Sequence, residues 1–267
     1  MIEKEIIDGH TIVTISNDNL SISINLTRGN IISSIVCNNK ELIFLREPNY
    51  HSTDRPTCGA PILFPYSGNN ENDILTIDGV NYSTGIHGIV HTNQWELTEM
   101  CENTVCMKTS SNDESKKAYP YDFELNAKIS VNDNSVSYEL KAKNLSDCTM
   151  PCDFGLHPFF KISNLKNCSF AVNGNNQMLD SDTITSTGCF LKKINTLSFE
   201  DKVSGMMIDF KNKKSFQNIL VWSGDPEQFL VIEPLTAQPN AINEKKNHFS
   251  LKPNEEESVC LEMQFKA

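Results

Sequence analysis

Ser137-Tyr138-Glu139-Leu140-Lys141-Ala142 alternates polar and apolar side chains without a break. Successive side chains of an extended strand point to opposite faces, so a period of two describes a strand with one buried and one wet face. Ser21-Ile22-Ser23-Ile24-Asn25-Leu26 repeats the pattern. Outward from these two stretches, short apolar or alternating runs recur at residues 10–15, 20–26, 31–36, 105–109, 123–131, 135–142, 206–210, 219–222, 229–232 and 259–265. Asn132-Asp133-Asn134 joins two of the strongest runs, and Asp78-Gly79 joins residues 74–77 to 80–82. Both read as hairpin turns, because Asn, Asp and Gly tolerate the positive φ of short hairpin loops. No long stretch keeps a helical 3.6-residue apolar period between caps. The expected class is all-β, with antiparallel sheets stacked as a sandwich or closed as a barrel. Residues 46–73, with four Pro and two Gly, are too long for an idle connection. Residues 174–205 read as loops with one short strand. Neither region resembles a linker, so residues 1–267 are expected to form one domain.

Composition narrows the function. The 267 residues carry 34 acidic and 23 basic side chains, a formal charge of -11. Such a chain lacks the basic excess that binds a phosphate backbone, so no nucleic-acid partner is expected. Only three residues are Arg: Arg28, Arg46 and Arg55. Because Arg is the usual bidentate ligand of phosphate, its scarcity points away from a phosphorylated ligand. No apolar run approaches the roughly 20 residues of a membrane span, so no membrane partner is expected. The start, MIEKEIIDGH, lacks the apolar core of a signal peptide. The nine Cys are odd in number in a chain too long to need disulfide staples, so reduced thiols and a cytoplasmic location are expected.

No nucleophile elbow, Walker loop or dinucleotide-binding glycine turn is present. Cys101/Cys106 and Cys148/Cys152 are loosely spaced and have no His nearby. His87 and His91 flank Gly88 beside strand-like sequence and have no Glu between them, well short of a three- or four-ligand site. No metal and no cofactor are expected.

Three segments remain. Gly59-Ala60-Pro61-Ile62-Leu63-Phe64-Pro65-Tyr66-Ser67-Gly68 reads as a rigid loop, followed later by Ile86-His87-Gly88. Gly155-Leu156-His157-Pro158-Phe159-Phe160 holds a His extended before Pro. Phe229-Leu230-Val231-Ile232-Glu233-Pro234 ends an apolar strand on a carboxylate, where burial raises a pKa. Singly, each also reads as a core His or a turn Glu. Trp95 and Trp222 read as core, and Phe159 and Phe160 as packing for His157.

Together, in this order, these segments resemble the aldose 1-epimerase (mutarotase) family over roughly residues 12–262. The resemblance implies a large antiparallel β-supersandwich and a cofactor-free isomerase acting on a small sugar. It implies Glu233 as general base, His157 as general acid and His87 as a sugar ligand. Interconverting anomers removes a proton from O1 and delivers one to the ring oxygen, work for a carboxylate and an imidazole tuned near neutrality. Many relatives carry Arg after the Gly of the F-P-x-x-G stretch, where this chain has Asn69, and relatives acting on hexose 6-phosphates carry Arg near the H-G segment, where it has His91. Asn69 and His91 are thus the expected sugar contacts, and a neutral sugar is favoured. Asp182 and Asp209 are candidates for the family's substrate-binding Asp. A phosphorylated hexose, or non-catalytic carbohydrate binding on the same fold, are the alternatives.

Overall fold

The computed structural model describes residues 1–267. All ten runs picked out above are strands, with slightly different ends. Ser135–Asn144 buries Val136, Tyr138, Leu140, Ala142 and Asn144 while the residues between them stay partly exposed. A one-residue slip would turn that whole set to solvent, at roughly 1.5–3 kcal/mol for each large apolar side chain, so the register is strongly specified. Asp133, at φ 47°, turns this strand back on Phe123–Asn132, and Asp78 and Gly79, at φ 48° and 81°, close the hairpin of Ile74–Ile77 and Val80–Ser83.

Five strands from Ile2–Ile7 to Lys40–Glu41 form an antiparallel meander. A nine-stranded antiparallel sheet has Met206–Lys214, Glu256–Lys266, Ser135–Asn144 and Phe123–Asn132 at its centre. A six-stranded sheet is built around Phe229–Leu235, which pairs with Asn218–Trp222, Gly155–Leu156 and Phe159–Lys161. Two small two-stranded sheets complete the set. One cluster of 59 buried apolar residues, from Val13 to Phe265, draws on all three large sheets. Every residue of Phe229–Leu235 is buried, as expected of a continuous apolar run covered on both faces.

One expectation about the fold is corrected. Residues 174–205 are not mainly loop: they contain Asn175–Gln177, Cys189–Lys192 and Thr196–Asp201, plus a helix Ser181–Ser186 whose Asp180 cap accepts from the Thr183 N–H. These strands send few residues inward (Leu197, Phe199 and Asp201 in Thr196–Asp201), so their pattern is faint and partners from afar define them. Ile2–Ile7 carried no burial signal because it is almost wholly exposed; pairing with His10–Ser16 makes it a strand. All nine cysteines are free, and no helix is long and apolar enough to cross a membrane.

Candidate active site

The central strand of the six-stranded sheet sets the site. Gly155 pairs with Leu235 and Phe159 with Val231. The same antiparallel register places His157, midway, opposite Glu233. Pro158 has no N–H to give the ladder, so the pairing breaks into two short strands, yet the side chains of opposed residues still share a face. His157 Nε2 lies 3.3 Å from Glu233 Oε1. On the far side Leu220 pairs with Glu233 and Trp222 with Val231. The carboxylate is thus inside its strand, which runs on to Leu235, and not at the strand's end as the sequence suggested.

His87 completes the group from another direction. It sits at φ 70°, a left-handed conformation that non-glycine residues seldom adopt and that is held here from both sides. Its N–H donates to the Gly68 carbonyl (2.9 Å), and the Gly68 N–H donates to His87 Nδ1 (3.1 Å). Gly88, at φ 77°, follows; a Cβ there would lie 2.1 Å from the Phe64 carbonyl oxygen, so only Gly admits this approach. The His87 ring stands edge-on to His157 at 4.8 Å, and Phe159 stacks on the other neighbourhood of His157 at 4.7 Å.

These groups line a cavity of about 450 Å³ together with Gly68, Ile86, Leu220, Trp222 and Phe229. Arg46, Arg55 and Thr57 also line it, from the long segment that precedes Gly68. Burial raises the Glu233 carboxyl to about 8, and the Arg55 charge pulls the other way. Burial lowers His157 to about 3 and, with neighbouring cations, His87 well below the ordinary range. Near neutrality the imidazoles are uncharged and the Glu233–His157 pair holds one titrating proton, carried mainly by the carboxyl. Glu233 Oε2 and His157 Nδ1 are buried without a partner.

One ligating atom from each of His87, His157 and Glu233 falls within 4.8 Å of the others, a spacing a metal ion can span. The Gly68 N–H, however, occupies the Nδ1 lone pair of His87, which leaves a proton on Nε2 of the neutral ring. His87 is therefore set up as a hydrogen-bond donor into the cavity, a poor arrangement for metal ligation.

The structure thus gathers His157, Glu233 and His87, and leaves two expected contacts outside. Asn69 is exposed beyond Gly68 and does not line the cavity, because the ties between Gly68 and His87 end the inward course of the chain there. Asn70 turns inward instead and donates to Thr84 Oγ1 (3.2 Å). His91 is buried on the single turn Val90–Thr92, behind the lining. Asp182 is exposed on Ser181–Ser186, and Asp209 pairs with Lys266 at 3.5 Å; neither reaches the cavity. Trp222 lines the cavity, contrary to its reading as core, whereas Trp95 is core. Phe160 packs on Phe210, away from His157.

The largest omission is the arginine wall. Scarcity of Arg argued for a neutral ligand, but two of the three line the cavity. Their signal in the sequence was the overlong, Pro-rich segment 46–73, whose path over the site depends on tertiary contacts.

The aldose 1-epimerase family model matches residues 11–266. The chain is 24% identical over 276 residues to protein LacX (chromosomal) of Lactococcus lactis subsp. lactis, covering 87% of this chain and 90% of that protein. The Slr1438 protein from Synechocystis sp. PCC 6803 superposes with a TM-score of 0.86 at 21% identity, covering 96% of this chain and 95% of that one. A galactose mutarotase related enzyme from Lactobacillus acidophilus superposes with a TM-score of 0.83 at 20% identity, over 96% and 97% of the two chains. At these identities the superpositions establish a shared galactose mutarotase-like β architecture. With the family match running through all three segments that meet at the cavity, the chain belongs to the aldose 1-epimerase family.

Proposed function

We propose that the protein is an aldose 1-epimerase, with Glu233 as base, His157 as acid and His87 as a donor to the sugar. The observation that carries this is the buried Glu233–His157 contact of 3.3 Å, across which a carboxyl proton can pass to the imidazole. Passing that proton from carboxyl to imidazole leaves a carboxylate with a free Oε2 and a charged imidazole, the states the reaction needs. The carboxylate takes the proton of O1 as the bond from C1 to the ring oxygen breaks, and His157 protonates the ring oxygen. Rotation about the aldehyde carbon and the reverse transfers close the other anomer and restore both groups. His87 Nε2–H is available to a sugar oxygen. Each positioned acid or base contributes roughly 10²–10⁴-fold. Trp222 and Phe159 supply apolar surface for the C–H face of a sugar ring.

Polarimetry of freshly dissolved α-anomer tests this: the protein speeds equilibration, and Glu233→Gln abolishes the effect. Wild-type rates in that variant would sink the assignment.

Arg46, Arg55 and Thr57 favour a second reading within the same chemistry, an aldose carrying a phosphate, since cations and a hydroxyl on one wall suit an anionic substituent. Saturation with glucose 6-phosphate against glucose separates the two, and a lower KM for the phosphate selects the charged substrate.

A further inference from the structure

Arg28 is 5% exposed and forms no ion pair with a carboxylate. A buried cation without an anion is costly unless its donors are satisfied, and here Nε and Nη2 are both turned to one task. Its guanidinium donates to three main-chain carbonyls of the segment crossing the site: Tyr50 (3.3 Å), Asn49 (3.2 Å) and Asp54. Asn49 then holds the next residues from within the segment. Its Nδ2 donates to the Arg55 carbonyl (3.0 Å), and its Oδ1 accepts from the Thr57 N–H (2.6 Å). These are the two residues through which the segment lines the cavity beside Arg46.

The base of Arg28 is fixed in turn. Asn25 accepts from the Arg28 N–H (3.0 Å) and donates to the Tyr50 hydroxyl (2.7 Å). Gly29, at φ 67°, packs so closely on the other loop of the site that a Cβ there would lie 2.0 Å from the His91 carbonyl oxygen, and its N–H donates to the Asn93 carbonyl (3.0 Å). One turn therefore ties together the segment bearing Arg55 and the segment bearing His87.

We propose that Arg28 and Asn49 are positioning residues that hold residues 46–58 as a strap over the cavity, and so set the strength of sugar binding through Arg55. Neither touches the ligand. The proposal rests on the cavity being a sugar site, as above. The Arg55 charge also opposes protonation of Glu233 and both His87 and His157. A slack strap therefore has two signatures: weaker binding, and titration of the Glu233–His157 pair displaced as it is when Arg55 is lost.

The test is a double-mutant cycle read by polarimetry and by calorimetric binding of glucose and glucose 6-phosphate, using Arg28→Lys, Asn49→Ala, Arg55→Ala and the two combinations with Arg55→Ala. Arg28→Lys keeps the charge but cannot span three carbonyls. Arg28→Lys and Asn49→Ala are each expected to raise KM and Kd about tenfold with kcat nearly unchanged, and to shift the pH–rate profile in the direction Arg55→Ala shifts it. Adding Arg55→Ala should produce little further change, because the variants remove one and the same contact. Unchanged KM and pH profile in the single variants, or effects that multiply with Arg55→Ala, would overturn the proposal. Asn49→Ala carries the cycle if the Arg28 variant does not fold. A wild-type chain that binds sugar without turning it over defeats the epimerase assignment while the binding cycle still decides the strap; one that binds neither sugar defeats both.

Discussion

The two walls of the cavity are built in opposite ways. The sheet wall carries Glu233, His157 and Phe159 at fixed places in one antiparallel register, all buried. The strap wall carries Arg46 and Arg55, both exposed, on a segment with one helical turn (Glu47–Tyr50) followed by irregular backbone, fastened by Arg28 and Asn49. The sheet wall removes water from a carboxyl and an imidazole and so moves their pKa values past each other. The strap wall leaves its guanidinium groups exposed at the surface, although partial burial lowers the Arg55 guanidinium somewhat and the Glu233 charge opposes this. Proton transfer gains from the first environment, and capture of a polar or anionic ligand from the second.

Breaking each wall should therefore give different kinetic losses. On the sheet side, His157→Asn is expected to lower kcat roughly 10²–10⁴-fold with little change in KM. On the strap side, Arg55→Ala is expected to raise KM about tenfold and leave kcat within a few-fold. If both variants lost kcat alone, the division between the walls would fail.

The walls also communicate through charge. Burial raises Glu233 to about 8 and Arg55 opposes that rise, so the proton that must pass to His157 is lost as pH climbs through about 8 and kcat/KM should fall there. Replacing Arg55 by Gln should move this falling limb of kcat/KM to higher pH. An unmoved limb would place Arg55 too far away to act on Glu233.

A smaller effect concerns the support under the sheet wall. Asp153 is fully buried, accepts from Ser67 Oγ (2.8 Å), and is raised by burial to about 7. A carboxyl raised on folding holds a proton that the unfolded chain has released. Its contribution is complete below the ordinary value near 3.8 and is lost as pH rises through about 7. Glu233 acts in the same sense between about 4.5 and 8, whereas His157, lowered from 6.5 to about 3, makes stability rise with pH across its own window. Asp153→Asn removes one falling contribution, so its Tm relative to wild type should climb between pH 4 and 7. A constant offset would mean that Asp153 does not titrate in that range. Least affected should be Asn69→Ala, which touches neither wall: KM within twofold of wild type is the expected result, and a larger rise would return Asn69 to the site.

The sequence legible in these walls was the periodic part. Alternation in Ser135–Asn144 and the continuous apolar run of Phe229–Leu235 announced strands because burial on one or both faces is written locally, one residue at a time. Even the pairing of His157 with Glu233 was visible as two unusual segments, through resemblance to a family. Asn69 was misplaced because its direction is set one residue earlier, by the reciprocal ties of Gly68 and His87 across 19 positions. The arginines were misjudged because counting them says nothing of where they meet.

Strand class and turn positions were thus determined by the sequence itself, since side-chain period and turn chemistry act between near neighbours. What only the tertiary structure decided was the other wall. Arg28 reaches Asn49, Tyr50 and Asp54 across 21 to 26 positions, and Trp222 leaves the core for the cavity through its pairing with Val231. Contacts of that range depend on how the sheets and loops close on one another, which no local pattern records.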